Sequence, residues 1–444
     1  MTATETKSDP GTKHPDGDQQ GWQRSLKHEE KVELALLALP TFALALAITI
    51  VSTQLGEVTR HYTHQTTLIG AIIGGEGAMA LWVPLIFGSW SDTLKTRIGG
   101  RLPFVLAGGL PAAAVLPMIG VVHGLGLVAL VSALFFLFYF VAYEPYRAMY
   151  PDMLPSEEVG GRAQSAQAVA RGVGTGCALL GGGLLLSVAR PLPFAVAAVV
   201  MVAALGGFVL LILRRGTPHQ DYRNAETPLQ VARRLPRLIR HHPALRAYFF
   251  ANALWETTLA ALKAFVLLYL TLGLGYSLST ASLIIGGVAL VILIGAAASG
   301  KVGDKLGRMR VVMVALIGYG AGYLVPVLTT NRIAIGLAMP FIAIGGGTVM
   351  TMAYALLMPL MPKAEHGALT GFYSISRGVG IVLGPILAGA VIWVTRDSLF
   401  KETSGFQAMW IICAAATFGS LFFLRRMAGA PDEGQQLSDA GHAS

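Results

Sequence analysis

The chain has 444 residues, of which 54% are hydrophobic and only 13% charged, with a formal net charge of +9. A soluble domain carries roughly 25% charged residues, so this composition excludes an ordinary water-soluble enzyme or binding module and implies a surface that faces lipid. With only two cysteines, Cys177 and Cys413, there is no basis for a disulfide framework or a thiolate metal site.

Residues 1–28 are polar and hold no apolar run, so a disordered cytoplasmic tail without a cleavable signal peptide is expected. A bilayer is crossed by about 20 apolar residues. On that measure the sequence predicts twelve spans, near 33–55, 67–87, 103–125, 127–150, 161–187, 191–213, 246–272, 278–299, 310–329, 332–358, 366–394 and 406–425. Six of them form an N-terminal bundle over 29–213. A linker over 214–245 is expected to be cytoplasmic, with an amphipathic helix near Pro228–Arg240 against anionic lipid head groups. The other six form a C-terminal bundle over 246–426, and a second disordered tail covers 427–444. Gly and Pro in the fourth, fifth and tenth segments predict bends or breaks there.

The polar landmarks repeat. Gly88-Ser89-Trp90-Ser91-Asp92 leads on to Arg97, Gly100, Arg101 and Pro103, and Gly300-Lys301-Val302-Gly303-Asp304 leads on to Gly307, Arg308 and Arg310. Ala170-Arg171-Gly172-Val173-Gly174 is echoed by Ser376-Arg377-Gly378-Val379-Gly380 at the same interval, to within a few residues. Repeated landmarks inside apolar sequence indicate a duplicated helical bundle, the way secondary transporters are built. The fold class expected is therefore an all-α membrane protein of two pseudo-symmetric six-helix bundles.

Basic residues set the orientation. With both termini cytoplasmic, one side receives Lys95, Arg97, Arg101, Arg162, the linker arginines, Lys301, Lys305, Arg308, Arg310, Lys363, Arg425 and Arg426. The other side receives only Arg60, Arg190, Arg332, Arg396 and Lys401. This is the positive-inside asymmetry, so the positive charge reports topology and no nucleic-acid partner is expected. An integral plasma (inner) membrane location follows.

Enzyme chemistry finds no support. Gly295 to Lys301 matches most positions of a nucleotide-binding Gly-rich loop, but Val302 stands where a Ser or Thr hydroxyl would hold magnesium, and no strand precedes it. The ten histidines lack metal spacing. No catalytic residue, metal or cofactor is expected.

The informative residues are charges inside the spans, each costing on the order of 3 kcal/mol unless paired or solvated. In the fourth segment Tyr139, Tyr143, Tyr146, Arg147 and Tyr150 recur at helical spacing, Glu144 precedes Arg147 by three residues and Asp152 follows. They form either a polar wall on a central pathway or a structural ion pair with interfacial tyrosines. Gln164, Gln167 and Arg171 share one face of the fifth segment, and Arg171 lies about ten residues, roughly 15 Å, inside it. In the eleventh, Tyr373 and Arg377 sit at the equivalent depth. These arginines contact either substrate oxygens or acids such as Asp92, Asp152 and Asp304 at the helix ends. Asn252, Glu256 and Lys263 share a face of the seventh segment. Glu76, among glycines in the second, is a further isolated acid. Tyr143, Glu144, Arg147, Gln167, Arg171, Asn252, Glu256, Lys263 and Tyr373 are the candidate substrate contacts. A desolvated carboxylate can hold a proton near neutral pH, which makes Glu76, Glu144 and Glu256 the candidates for proton coupling.

The loop Gly88–Pro103 is similar to the signature between the second and third helices of the major facilitator superfamily, and Gly300–Arg310 resembles its degenerate second copy. Ser91-Asp92 with Arg97 to Phe104, and Pro145-Tyr146-Arg147-Ala148 with Asp152, resemble the sucrose/proton symporters and the glycoside/pentoside/hexuronide cation symporters. The resemblance implies a cytoplasmic latch between the halves, with Asp92, Arg97, Arg101, Asp152, Asp304, Arg308 and Arg377 as gating residues. It also implies a proton or other cation as co-substrate, a sugar, glycoside or other polar small solute as cargo, membrane lipids as surroundings, and a monomer working by alternating access. The chain departs from the sucrose symporters at Phe136, where they carry an acid, and at Glu144, where they carry Gly, which leaves coupling through Glu144 or no coupling. A drug or metabolite efflux antiporter and a lipid-handling or sensing membrane protein are the other readings.

Overall fold

The structure, a computed structural model, describes residues 28–153, 157–215, 239–357 and 369–428, with 236 and 360 as isolated positions. The expected tails and most of the linker, including its amphipathic helix, lie outside the described residues. Twelve helices among the described residues are long and apolar enough to cross a membrane. In chain order they are α1 His28–Arg60, α2 Thr66–Val83, α3 Leu102–Val115, whose span is completed by the short helix Met118–Val121, α4 Leu125–Met153, α5 Glu157–Val188, α6 Leu192–Arg215, α7 Pro243–Leu268, α8 Leu278–Leu306, α9 Arg308–Leu328, α10 Arg332–Leu357, α11 Leu369–Thr395 and α12 Met409–Ala428.

Outward-facing side chains are large and apolar, as a lipid boundary requires. Val199 is 69% and Leu337 70% exposed, while the interior closes on aromatic residues such as Phe135, Phe208, Phe265 and Trp410. With lipid outside, interhelical adhesion rests on close packing of small residues rather than on the hydrophobic effect.

No break divides the fourth, fifth or tenth segment. Each runs as one helix, and in α5 and α10 glycines serve close approach: a Cβ on Gly174 would sit 2.4 Å from the Phe42 carbonyl, and one on Gly347 2.4 Å from that of Ile292. Interruptions fall elsewhere. α2 passes through a π turn at Pro84–Gly88 before ending in Ser89–Thr93, α7 closes in a π turn at Tyr269–Gly273, and α3 stops at Val115 ahead of Pro117, which has no N–H to donate.

The sequence repeat has a backbone counterpart. Gly99, between α2 and α3, has φ +84°, and Gly307, between α8 and α9, has φ +88°. Both are left-handed conformations that only glycine adopts at little cost.

The two halves, α1–α6 and α7–α12, meet along α2 with α11, α5 with α8 and α1 with α7. The α2–α11 seam is the tightest. A Cβ on Gly70 would lie 2.1 Å from the Pro385 carbonyl oxygen, and one on Gly77 2.5 Å from the Val382 nitrogen. Thr66 Oγ1 donates to the Gly389 carbonyl at 2.7 Å across this seam, and Ser279 Oγ donates to Ser187 Oγ at 3.2 Å between α5 and α8. Both bonds lie at the end of the bundle that carries the α1–α2 and α7–α8 turns, here called the distal end, which is therefore sealed. The opposite end carries the start of α1 and the end of α12.

Gly77→Ala is expected to cost roughly 1–3 kcal/mol through overpacking of this seam. It should lower the thermal midpoint and lengthen the distance between spin labels at positions 187 and 279. An unchanged distance distribution would show that the seam does not hold the distal end shut.

Candidate functional site

The first signature loop is tied down within its own half. Asp92 Oδ1 accepts from Arg101 Nε at 3.0 Å and Nη2 at 2.8 Å, and Arg101 Nη1 donates to the Ala148 carbonyl of α4. This charge-assisted pair fixes the α2–α3 loop on the end of α4 instead of joining the two halves. Arg97 is exposed and forms no ion pair among the described residues. The backbones of Asp152 and Asp304 lie in α4 and α8, but their side chains are outside the described set. Arg308 lies exposed at the start of α9.

Deeper, five helices bring their charges to one place. On α4, Tyr139 and Tyr143 stack with ring centroids 5.4 Å apart and planes inclined by 14°. The charges of Arg171, Arg147, Glu144 and Arg377 all act on the Tyr143 hydroxyl, and those of Glu256, Arg377, Arg147 and Arg171 act on that of Tyr373. The charges of Glu76 on α2, of Arg171 and of Arg377 also act on Tyr139. The cluster thus draws on α2, α4 and α5 of the first half and α7 and α11 of the second, which sequence spacing alone did not place together.

Most charges in it have a partner. Arg377 Nε stands 3.3 Å from Glu256 Oε1, so Arg377 belongs to the centre of the bundle and not to an acid at the helix ends. Arg147 Nη1 stands 3.9 Å from Glu144 Oε2, one helical turn away. Glu76 is 4% exposed and its Oε2 receives Ser52 Oγ of α1 at 2.5 Å. The same hydroxyl lies 2.7 Å from the Ile48 carbonyl oxygen. Arg171 alone among these is exposed and has neither ion pair nor hydrogen bond among the described residues.

Other candidates are placed differently. Asn252 is 1% exposed and donates to Ser376 Oγ at 2.8 Å, which pins α7 to α11 and removes it from the cleft. Lys263 sits two turns from Glu256 on the same face of α7, half-buried and without an ion pair among the described residues. Gln167 is half-buried one turn before Arg171. Sequence reasoning did not single out Ser52. Its signal was the polar run Thr49, Ser52, Thr53, Gln54 inside an otherwise apolar span.

Solvent reaches this cluster, since the Arg377 side chain is 39% exposed although it lies between the halves. With the distal end sealed, access comes from the end that carries the termini. The arrangement can bind a small polar molecule and exchange a proton. Its Tyr, Glu and Arg side chains are not assembled around a nucleophile, and among the described residues no group of His, Cys, Asp and Glu could hold a metal ion.

This geometry and the twelve spans define an all-α integral membrane protein built of two six-helix halves. A family model described as the Major Facilitator Superfamily matches residues 248–441. The chain is 29% identical over 119 residues to an uncharacterised MFS-type transporter of Mycobacterium tuberculosis, a match covering 27% of this chain and 16% of that protein. It is 30% identical over 131 residues to Multidrug resistance protein 3 of Bacillus subtilis, covering 29% and 23%. The chain thus spans less than a quarter of the length of these relatives. Among solved structures, the nucleoside transporter NupG superimposes with a TM-score of 0.70 at 14% identity over 90% of this chain and 99% of that one. An inward-facing, unoccupied bacterial homologue of the human lysosomal transporter Spinster gives 0.70 at 16%, over 91% and 96%. At such identities the likeness establishes the fold.

Either Glu256→Gln or Arg377→Gln leaves one charge unpaired at membrane depth, at a cost on the order of 3 kcal/mol. Both single variants should lower the thermal midpoint, and the double variant should lie closer to wild type than the less stable of the two. Simple additivity of the two effects would mean that the pair does not form.

Proposed function

We propose that this chain is a transporter that carries a small polar solute across the membrane by alternating access. The observation that carries the reading is the cluster of Arg, Glu and Tyr side chains contributed by both halves, sealed from the distal end by the α2–α11 and α5–α8 contacts. Ionised groups at this depth are costly and mark solute or proton pathways. The positive-inside pattern makes the end bearing the termini cytoplasmic, and in that orientation this conformation is the inward-open one. The motifs Gly88–Pro103 and Pro145–Asp152 favour a sugar or glycoside as cargo. Relatives named for multidrug resistance support export as the second reading.

Proton coupling fits best at Glu76. Ser52 has one hydroxyl hydrogen and two acceptor oxygens within reach, those of Ile48 and Glu76. The Ser52 hydroxyl can therefore serve either oxygen, which gives Glu76 a hydrogen-bonding partner at this depth. The charge of Glu76 acts on Tyr139 and, in the other half, on Arg377, so a change of charge there and the closure of the halves would bias each other. Glu144, already beside Arg147, becomes the second choice.

The test is flux in proteoliposomes, with a cargo found by screening sugars, glycosides, organic acids and drugs for thermal stabilisation. A disulfide between Ser187→Cys and Ser279→Cys should abolish flux reversibly with reductant. Flux that persists in the cross-linked protein would rule out alternating access. Asp92→Asn, which removes the Arg101 pair, should slow cycling at least severalfold while the fold remains intact. Glu76→Gln should keep cargo binding but end accumulation driven by a pH gradient, and continued uphill uptake would move the coupling site elsewhere.

A further inference from the structure

At the end of the bundle that carries the termini, the two halves are charged differently. α1 and α6 are the first and last helices of one half, as α7 and α12 are of the other. α1 begins with Glu29, Glu30 and Glu33 against Lys31, and α6 ends in Arg214 and Arg215, so by sequence the charges of that corner cancel. The matching corner of the second half has Arg240 and Arg246 at the start of α7 and Arg425 and Arg426 at the end of α12, and neither residues 239–255 nor α12 contains a carboxylate. All four arginines are exposed and without an ion pair among the described residues. Aromatic rings fix the geometry beneath them. Phe250 of α7 and Phe423 of α12 stack with ring centroids 5.3 Å apart and planes inclined by 27°. Arg246 lies one turn before Phe250, and Arg426 three residues after Phe423, so on these antiparallel helices both arginines leave the backbone roughly 5 Å nearer the end of the bundle than the stack. Arg426 turns over the ring of Phe422, with Cζ 4.2 Å from its centroid. Phe250 is 43% and Phe422 52% exposed. Unneutralised guanidiniums thus stand one turn above bare aromatic surface, the profile of the boundary between head groups and acyl chains. A soluble anion would satisfy the arginines and leave the rings uncovered, whereas an anionic amphiphile satisfies both.

We infer that the corner between the start of α7 and the end of α12 is a binding site for an anionic phospholipid of the cytoplasmic leaflet. The lipid phosphate accepts from Arg246 and Arg426, and the acyl chains lie on Phe250 and Phe422. Arg240 and Arg425 add to the positive field that draws the head group in. The corner of α1 and α6, neutral by sequence, does not select for charge. This site is independent of what the central cleft carries.

The test measures lipid binding to the full chain by native mass spectrometry, with phosphatidylglycerol and phosphatidylcholine of the same acyl chains. Phosphatidylglycerol should bind more tightly. Arg246→Gln and Arg426→Gln should each weaken its binding about fivefold and leave phosphatidylcholine unaffected, while Arg246→Lys and Arg426→Lys, which keep the charge, should retain most of it. Arg214→Gln, in the first half, should change nothing. Equal affinity for the two lipids, or binding unmoved in the double glutamine variant, would overturn the inference. An equal loss from Arg214→Gln would do the same, since it would mean diffuse attraction and no site. Inorganic phosphate should not raise the thermal midpoint as phosphatidylglycerol does, and an equal rise would make the corner a site for a soluble anion. Asp432 and Glu433 follow α12 outside the described residues. If Asp432→Asn with Glu433→Gln tightens phosphatidylglycerol binding about fivefold or more, the chain's own tail is the occupant and the lipid assignment falls.

Discussion

The constraint on which this molecule depends is the cost of ionised groups away from water. Three arginines and three glutamates sit within the spans near the meeting of the two halves, and a lone charge there costs on the order of 3 kcal/mol. A bundle with net stability in the usual range of about 5–15 kcal/mol cannot hold several such groups unpaired. They are tolerated because α2, α4, α5, α7 and α11 turn them toward one another and toward a cleft that solvent enters. The same requirement explains the glycine-lined seams. Where α2 lies against α11 there is no room for a Cβ at Gly70 or Gly77, and this closeness seals one end while the other admits water.

Much of this was legible from residues alone. Apolar runs gave twelve spans, because the length of a span is dictated by bilayer thickness. The repeated Gly-Asp-basic loops proved to share a backbone feature, with Gly99 and Gly307 both left-handed. Pairing was not legible. Glu256 and Lys263 share a helical face, yet the partner of Glu256 is Arg377, more than a hundred positions along the chain. Periodicity describes one helix at a time and says nothing of which neighbour it faces. For the same reason Asn252 looked like a pathway residue, whereas its amide is spent on Ser376.

The interruptions fell in unexpected places for a related reason. Gly in a span reads equally well as a hinge or as a contact, and in α5 and α10 the contact wins: Gly174 and Gly347 admit a neighbouring backbone. The real interruptions, the π turns after Val83 and Leu268, arise at the ends of α2 and α7, where local composition carries only one proline as a signal. Ser52 escaped notice because a serine within a span bonds the preceding turn in most settings. It does so here with Ile48, and what matters is the second oxygen, from Glu76.

The Glu256–Arg377 pair lies wholly in the second half, on α7 and α11, and Glu144–Arg147 wholly in the first, on α4. If the halves tilt as rigid bodies, neither salt bridge stretches during the stroke. These two salt bridges therefore add no electrostatic brake of their own, and what changes with the tilt is the longer-range interaction of Glu76 in the first half with Arg377 in the second.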